Sequence, residues 1–240
     1  MTDFQTRIAV LSGAGISAES GLKTFRDSGG LWEGHDMMEM ASIEAWQWNK
    51  KAMLEFYNER RKQALQARPN AAHYALAELQ QVCHLDVITQ NVDDLHERGG
   101  AQNVLHLHGK LSEVRSSADE SLVYDVGANS ITLGDTCEKG SQLRPNVVWF
   151  GEAVPNFPIA QQIMRQADYV IIVGTSLMVY PAASLLDDVP QYSPVYLVDP
   201  SADEIRPPHA QIKLIAEPAS RALPRLVEQL KARIQAHKKN

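Results

Sequence analysis

Cysteine is nearly absent from this 240-residue chain, in which Cys83 and Cys137 are the only two. Two thiols cannot build a disulfide framework, and by themselves they cannot supply the four ligands of a structural zinc site. Long apolar runs are missing as well. No stretch approaches the roughly 20 residues that a bilayer-crossing helix needs, and the opening MTDFQTRIAVLSGAG has no apolar leader core. The expectation is a cytoplasmic chain with reduced thiols and no membrane partner. Basic residues are outnumbered, 23 Lys and Arg against 29 Asp and Glu, and are interspersed apart from a short HKK near the C-terminus. That leaves no electrostatic footprint for nucleic acid, whereas the net charge of −6 suits a basic protein tail as partner.

What is present is ordinary globular material. A chain that is 44% hydrophobic and 22% charged can bury a full core, which excludes a disordered or collagen-like polymer. Its length suits one large α/β domain, alone or with a small attached module. Short β-rich runs recur at 7–12, 85–90, 104–108, 168–174, 194–199 and 211–216, and several are almost continuously apolar. That is the pattern of parallel strands covered on both faces. Helix-like segments at 43–66, 70–82, 91–99, 158–167, 181–188 and 220–236 fall between them. The alternation predicts an α/β fold with a Rossmann-like, doubly wound parallel sheet.

Two stretches interrupt the alternation. Residues 23–66 insert a helical piece with Trp32, Trp46, Trp48, Met53 and Phe56 as candidate packing residues. Residues 109–145 are polar and read as two short strands, with turns at Gly127-Ala128-Asn129 and Gly134-Asp135. Together they predict a small module from 23–79 and 109–145, carried by a sheet domain of 1–22, 80–108 and 146–240.

Directly after the first strand comes Gly13-Ala14-Gly15-Ile16-Ser17-Ala18, a GxGxxA arrangement in a strand–turn–helix context. Glycines there allow a tight turn and close backbone approach to a pyrophosphate, whose charge a helix N-terminus favours. The same spacing also serves a plain βα turn that needs small residues. Dehydrogenases add an acidic residue at the end of a second strand about 20 residues on, but here that region reads Asp27-Ser28-Gly29-Gly30-Leu31-Trp32, a loop. Asp199, ending PVYLVD, is the better ribose candidate, unless Asp199-Pro200 simply opens a turn. Hydride transfer is thereby weakened and a dinucleotide used as a reactant is favoured.

The blocks GAGISAESGLKTFRDSGGLW at 13–32, TQNVDDLHERGG at 89–100, LHG at 107–109, PNVVWFGE at 145–152 and GTSLMVYP at 174–181 span nearly the whole chain. In this order they closely resemble the sirtuins, the NAD-dependent protein-lysine deacylases, and most of all the bacterial and mitochondrial group that prefers acidic acyl chains. The resemblance implies NAD as the co-reactant and acylated-lysine proteins as substrates. The acyl group would pass to ADP-ribose and nicotinamide would be released. His108 matches the general base of that family, and imidazole, with a pKa of about 6.5, suits the role. From the residues alone His106, two positions earlier on the same strand face, competes with it, and Gly109 would let substrate approach.

Further matches follow residue by residue. Gln90 corresponds to a ribose contact and Asn91 and Asp93 to the nicotinamide pocket, although Asn91, Asp93 and Asp94 could equally cap a helix. Phe25 would shield the reactive ribose carbon, Arg26 would meet phosphate or ribose oxygens, and Trp32 closes the same cofactor-binding block. Gly174, Thr175 and Ser176 match a second phosphate and ribose contact, and Ala219 an adenine-side backbone contact. An extended peptide substrate would add as a strand to 147–152 and to Val179-Tyr180, with Val148, Phe150, Gly151 and Val179 against it.

Tyr57 and Arg60 stand three apart in a helix-like segment and so face one way. As a bare pattern this describes a solvated face, and the neighbouring Arg61 shows how common arginine is in this stretch. At the family's position the pair matches the clamp for a terminal acyl carboxylate, and Ala18 matches the small residue kept at that pocket. The resemblance therefore implies desuccinylase and demalonylase activity beside deacetylation. An ADP-ribosyltransferase would use the same NAD pocket, and a non-catalytic NAD- or ADP-ribose-binding module would not need His108. Where sirtuins carry two cysteine pairs for zinc, this chain has Ser116 and Asp119, then Cys137 and Gly140. No zinc is therefore expected. A monomer is expected.

Overall fold

The computed structural model describes residues 6–23, 31–32, 35–175, 177, 179–204 and 212–237. Phe25, Arg26 and Ser176 lie outside them, and so does the side chain of Trp32. The strands are β1 (Arg7–Ser12), β2 (Leu31–Trp32), β3 (His35–Asp36), β4 (His84–Thr89), β5 (Val104–His106) and β6 (Gly109–Ser116), then β7 (Val123–Asp125), β8 (Leu143–Val147), β9 (Tyr169–Val173), β10 (Val195–Val198) and β11 (Ile212–Ile215). The helices are α1 (Met37–Met40), α2 (Ala45–Trp48), α3 (Lys50–Gln66), α4 (Ala71–Leu79), α5 (Leu95–Arg98), α6 (Phe157–Arg165) and α7 (Ala219–His237), with 3-10 turns at Ala14–Ser20, Ala182–Asp188 and Ala202–Glu204. Among the described residues no helix is long and apolar enough to cross a membrane.

Six parallel strands run in the order β11-β10-β9-β1-β4-β5. From β1 the chain winds outward to β4 and β5, then returns to the other side of β1 and winds to β11. The order therefore reverses between β1 and β9, and a doubly wound sheet binds its ligands at the carboxyl ends of the strands that flank such a reversal. The apolar runs explain why the sheet forms here. Ile8 and Val10 face one layer with Leu76, Leu79, Leu223 and Leu230 from α4 and α7. Ala9 and Leu11 face the other with Met164 of α6 and Leu185 of the 3-10 turn. Strand alternation thus buries both faces of β1.

The insertions share a third core. Met53, Phe56 and Tyr57 of α3 pack with Trp46, with Leu111 and Val114 of β6, and with Ile131, Val147 and Trp149. There β6 lies between β7 and β8 in an antiparallel sheet, so the polar stretch holds three strands where the sequence suggests two. The expected division at residues 79 and 146 does not follow the packing. Helix α4 belongs to the core of the large sheet beside α7, while Val147 and Trp149 belong to the small one. Trp48, read as a packing residue, is 64% exposed, because α2 turns only Trp46 inward.

Arg61 also departs from the surface role suggested by its neighbourhood. It is 1% exposed and donates to the backbone carbonyls of Leu111 and Asn129, while the adjacent Asn58 exchanges hydrogen bonds with the backbone of Ile131. These bonds tie α3 to the small sheet. Arg98 makes a similar tie from α5 to the carbonyls of Ala64 and Ala67 at the end of α3.

Gly109 is required by the packing of the chain itself. Its φ is +80°, and a Cβ placed there would lie 1.9 Å from the Asn146 carbonyl oxygen. The start of β6 is thereby seated directly against β8. Replacing Gly109 with Ala should lower unfolding free energy by about 3 kcal/mol, combining left-handed strain with a backbone clash. Urea denaturation followed by circular dichroism checks this, and an unchanged midpoint would refute it.

Candidate active site

The loops that leave β1, β4 and β9 meet at the strand-order reversal. The amide of Gly13 donates to the Val173 carbonyl at 3.0 Å, and that of Gly15 donates to the Gly174 carbonyl at 2.8 Å. A Cβ on Gly15 would meet Gly174 Cα at 2.6 Å, and one on Gly174, whose φ is +63°, would meet the Ile16 amide nitrogen at 2.2 Å. Two loops can touch backbone to backbone here only because neither carries a side chain. Ala14 and Ser17 follow in the 3-10 turn, so the expected helix start is a tighter one. The N-terminus of α7 closes this side: Ser220 donates its amide and hydroxyl to the Glu19 carboxylate, and the adjacent Ala219 is buried.

From β4 comes the second loop. Gln90 donates through Nε2 to Thr175 Oγ1 at 3.2 Å, which joins the loops after β4 and β9. The Asn91 side chain donates to Ser17 Oγ at 3.3 Å, and Ser17 Oγ donates to Asp93 Oδ2 at 3.1 Å. Asp93 Oδ1 accepts the Leu95 amide, so one oxygen caps α5 while the other faces the pocket. Asp93 thus holds the start of α5 with one oxygen and the Ser17 hydroxyl with the other. Burial pushes the Asp93 carboxyl up, against the bonds from Leu95 and Ser17 and the charge of His106. Asp199 is buried at the end of β10, where its carboxylate accepts the Ser201 amide and its backbone carbonyl the Ala202 amide.

The two histidines of the HG strand part ways. His108 Nδ1 lies 2.9 Å from the Gln90 carbonyl, which can only accept, so Nδ1 carries the proton and Nε2 is left with its lone pair. No described residue meets that nitrogen. Burial depresses the His108 pKa below 6.5, partly offset by the Gln90 bond, so the ring is neutral and basic at pH 7. His106 instead has acceptors on both nitrogens, the Asn91 carbonyl and the Glu97 carboxylate. The two rings therefore differ in their partners: both nitrogens of His106 face acceptors, whereas His108 has one only at Nδ1 among the described residues.

Beside His108 runs the segment expected to receive peptide. Val148 donates its amide to the His108 carbonyl, and Phe150 exchanges backbone hydrogen bonds with Ala41 and Ile43. Much of the pairing capacity of 148–150 is therefore used within the chain. Gly151, at φ +89°, follows at the same edge, where Phe150 is 41% exposed and Val148 half buried; Val179 is half buried in the segment after β9.

Tyr57 is buried, and its hydroxyl accepts from Trp149 Nε1 at 2.9 Å. Burial pushes the phenol far up despite Trp149 and the Arg144 and Arg60 charges, so it stays protonated. Arg60, one helical turn on, is 8% exposed and borders a groove of about 330 Å³ with Met40, Phe56, Glu59 and Gln63. Ala18 is an exposed residue of the phosphate-loop turn and does not line that groove. The small buried residues in the Tyr57 and Trp149 cluster are Ala41, Ala45 and Ala64, and the Ala41 carbonyl accepts the Phe150 amide. Sequence reasoning missed Ala41, because only a bridge between Ser42 and Phe150, over 100 residues apart, brings it there.

The positions matched to zinc ligands hold one another. Cys137 Sγ donates to Ser116 Oγ at 3.4 Å, and Asp119 pairs with Lys139 at 2.7 Å. Among the described residues no group of three or more His, Cys, Asp or Glu could hold a metal. One thiol and one lysine-paired carboxylate do not fit the closed four-ligand set that structural zinc takes.

Known proteins provide the comparison for this geometry. The Sir2 family model matches residues 13–181. An NAD-dependent protein deacylase of Helicobacter pylori is 50% identical over 225 residues, covering 92% of this chain and 95% of that protein. The crystal structure of a Sir2 homologue–NAD complex superposes with a TM-score of 0.83 at 37% identity, covering 95% of this chain and 90% of that one. A Sir2–p53 peptide–NAD+ structure superposes at 0.76 and 30% identity, with 96% and 95% covered. With its strand order, its glycine junction and its HG-strand histidine, this chain belongs to the Sir2 family.

Proposed function

We propose that this chain is an NAD-dependent protein-lysine deacylase that accepts succinyl and malonyl as well as acetyl groups. The observation that carries the proposal is His108, with Nδ1 held by the Gln90 carbonyl and Nε2 met by no described residue, beside a junction that only glycine permits. Relatives named NAD-dependent protein deacylase over almost the full chain support it, as do Sir2 structures with NAD and with a p53 peptide.

NAD supplies an activated ribosyl bond and the ribose that receives the acyl group. The residues fit it: Gly13, Ala14, Gly15 and Gly174 leave room for a pyrophosphate against bare backbone, and Gln90, Thr175 and Asp199 stand at strand ends within the same crevice. Ser17, Asn91 and Asp93 form a buried polar cluster suited to a carboxamide. Phe25, Arg26, Trp32, Ser176 and Ala219 complete the proposed cofactor set. His108 Nε2 takes the proton from a ribose hydroxyl, and the depressed pKa keeps it ready to do so below neutral pH. The acylated lysine lies along Val148, Phe150, Gly151 and Val179.

Arg60 gives the acyl end a fixed positive charge, and the protonated Tyr57 phenol beside it adds a hydroxyl at the same end. The small module folds without zinc, held by the Arg61 and Asn58 bonds and by the Cys137–Ser116 and Asp119–Lys139 contacts.

Four outcomes are expected. Substituting His108 with Ala should cut kcat about 10²- to 10⁴-fold while NAD binding measured by calorimetry persists. In the wild type the acid limb of the kcat/KM profile should fall below pH 6.5, because protonation of a ring with a lowered pKa abolishes the base; a limb above 6.5 would contradict this. Arg60→Met should lower kcat/KM on succinyl peptide at least about tenfold, the worth of a lost charge-assisted bond, with acetyl turnover little changed. Intact succinyl turnover would remove the pocket assignment. Metal analysis of the purified protein should find no stoichiometric zinc, and one zinc per chain would refute the metal-free module.

A further inference from the structure

Asn91 is held from three directions. Its amide donates to Thr89 Oγ1 at 3.1 Å, its side chain donates to Ser17, and its carbonyl lies 3.1 Å from His106 Nδ1. His106 is 6% exposed and ends β5, two residues before His108. Its Nε2 lies 2.9 Å from Glu97 Oε1, and the same oxygen accepts from Lys110 Nζ at 2.9 Å. A carbonyl and a carboxylate can only accept, so satisfying both bonds takes an imidazolium that donates from both nitrogens. Glu97 remains ionised: burial pushes its carboxyl up, but the bonds from His106 and Lys110 outweigh this and hold it at about 2.

A buried ion pair is poor evidence for stability, since apolar residues of similar volume often do as well. Here the charges run in a line, Lys110 to Glu97 to His106, and the line ends on the one carbonyl that orients Asn91. The positive ring also works on Asp93, whose buried carboxylate it favours. The Asn91 backbone and the Asp93 carboxylate of the proposed nicotinamide pocket thus both lean on His106.

We propose that His106 is a positioning residue: anchored by Glu97 and Lys110, it fixes the Asn91 carbonyl and so aims the Asn91 and Asp93 side chains at the nicotinamide end of NAD. This rests on the reading of Asn91 and Asp93 given under Proposed function. The two ring nitrogens can be separated by substitution. Asparagine reproduces a donor near Nδ1 and keeps the Asn91 bond, whereas glutamine reproduces one near Nε2 and keeps only the Glu97 bond.

In the full-length protein, His106→Gln should weaken NAD binding by calorimetry and competition by free nicotinamide each about tenfold, the cost of one buried acceptor left unmet. The acyl-peptide KM should not move. His106→Asn should stay within about threefold of wild type in both readouts, and a melting temperature for each variant shows that it is folded. Equal NAD affinity in all three proteins, equal losses in Asn and Gln, or a loss confined to peptide KM would overturn the proposal. A wild type that binds NAD yet leaves acyl-peptides intact would refute the deacylase function, while the calorimetric comparison would still decide the role of His106. A wild type that binds no NAD would overturn both.

Discussion

The contact on which the rest depends is the backbone-to-backbone approach of two loops, Gly13-Ala14-Gly15 after β1 and Gly174-Thr175 after β9. These strands flank the reversal of strand order, so the chain diverges there into two crossover layers and leaves a crevice between them. Because no Cβ fits between the loops, they present amides and bare backbone to that crevice. The loop after β4 is then drawn in by Gln90 to Thr175 and by Asn91 to Ser17. Three loops distant in sequence become one polar surface, and a dinucleotide laid on it has its reactive end beside His108.

The small module adds the acyl and peptide side of the site, and charge holds it as much as apolar contact does. Arg144 makes bonds to both oxygens of Glu152 and stacks over Trp149 at 3.4 Å, Arg115 meets the same carboxylate, and Trp149 donates to Tyr57. The segment that passes His108 is thus fixed by a bidentate ion pair on one side and an aromatic ring on the other. From the helix side Arg61 bonds to backbone carbonyls of the three-stranded sheet.

Much of this was legible in the sequence because its signals are local. Continuous apolar runs gave the parallel strands, the glycine spacing gave the phosphate loop, and the Tyr57–Arg60 spacing placed both on one face. What was not legible depends on long-range approach. Ala41 reaches the Tyr57 cluster through Phe150, Gly109 is explained by Asn146 across a sheet, and Arg61 is buried although its neighbourhood is rich in charge. His106 and His108 read alike in the sequence, but β5 ends at His106, and only their partners separate a ring held at both nitrogens from one held at Nδ1.

The central claim is that this crevice and His108 transfer an acyl group from lysine to the ribose of NAD. Mass spectrometry of one reaction containing succinyl-lysine peptide and NAD tests it most directly. The account predicts the free-lysine peptide, nicotinamide and succinyl-ADP-ribose in equal amounts. A peptide that gains the mass of ADP-ribose, or one that keeps its succinyl group while NAD is consumed, would contradict it.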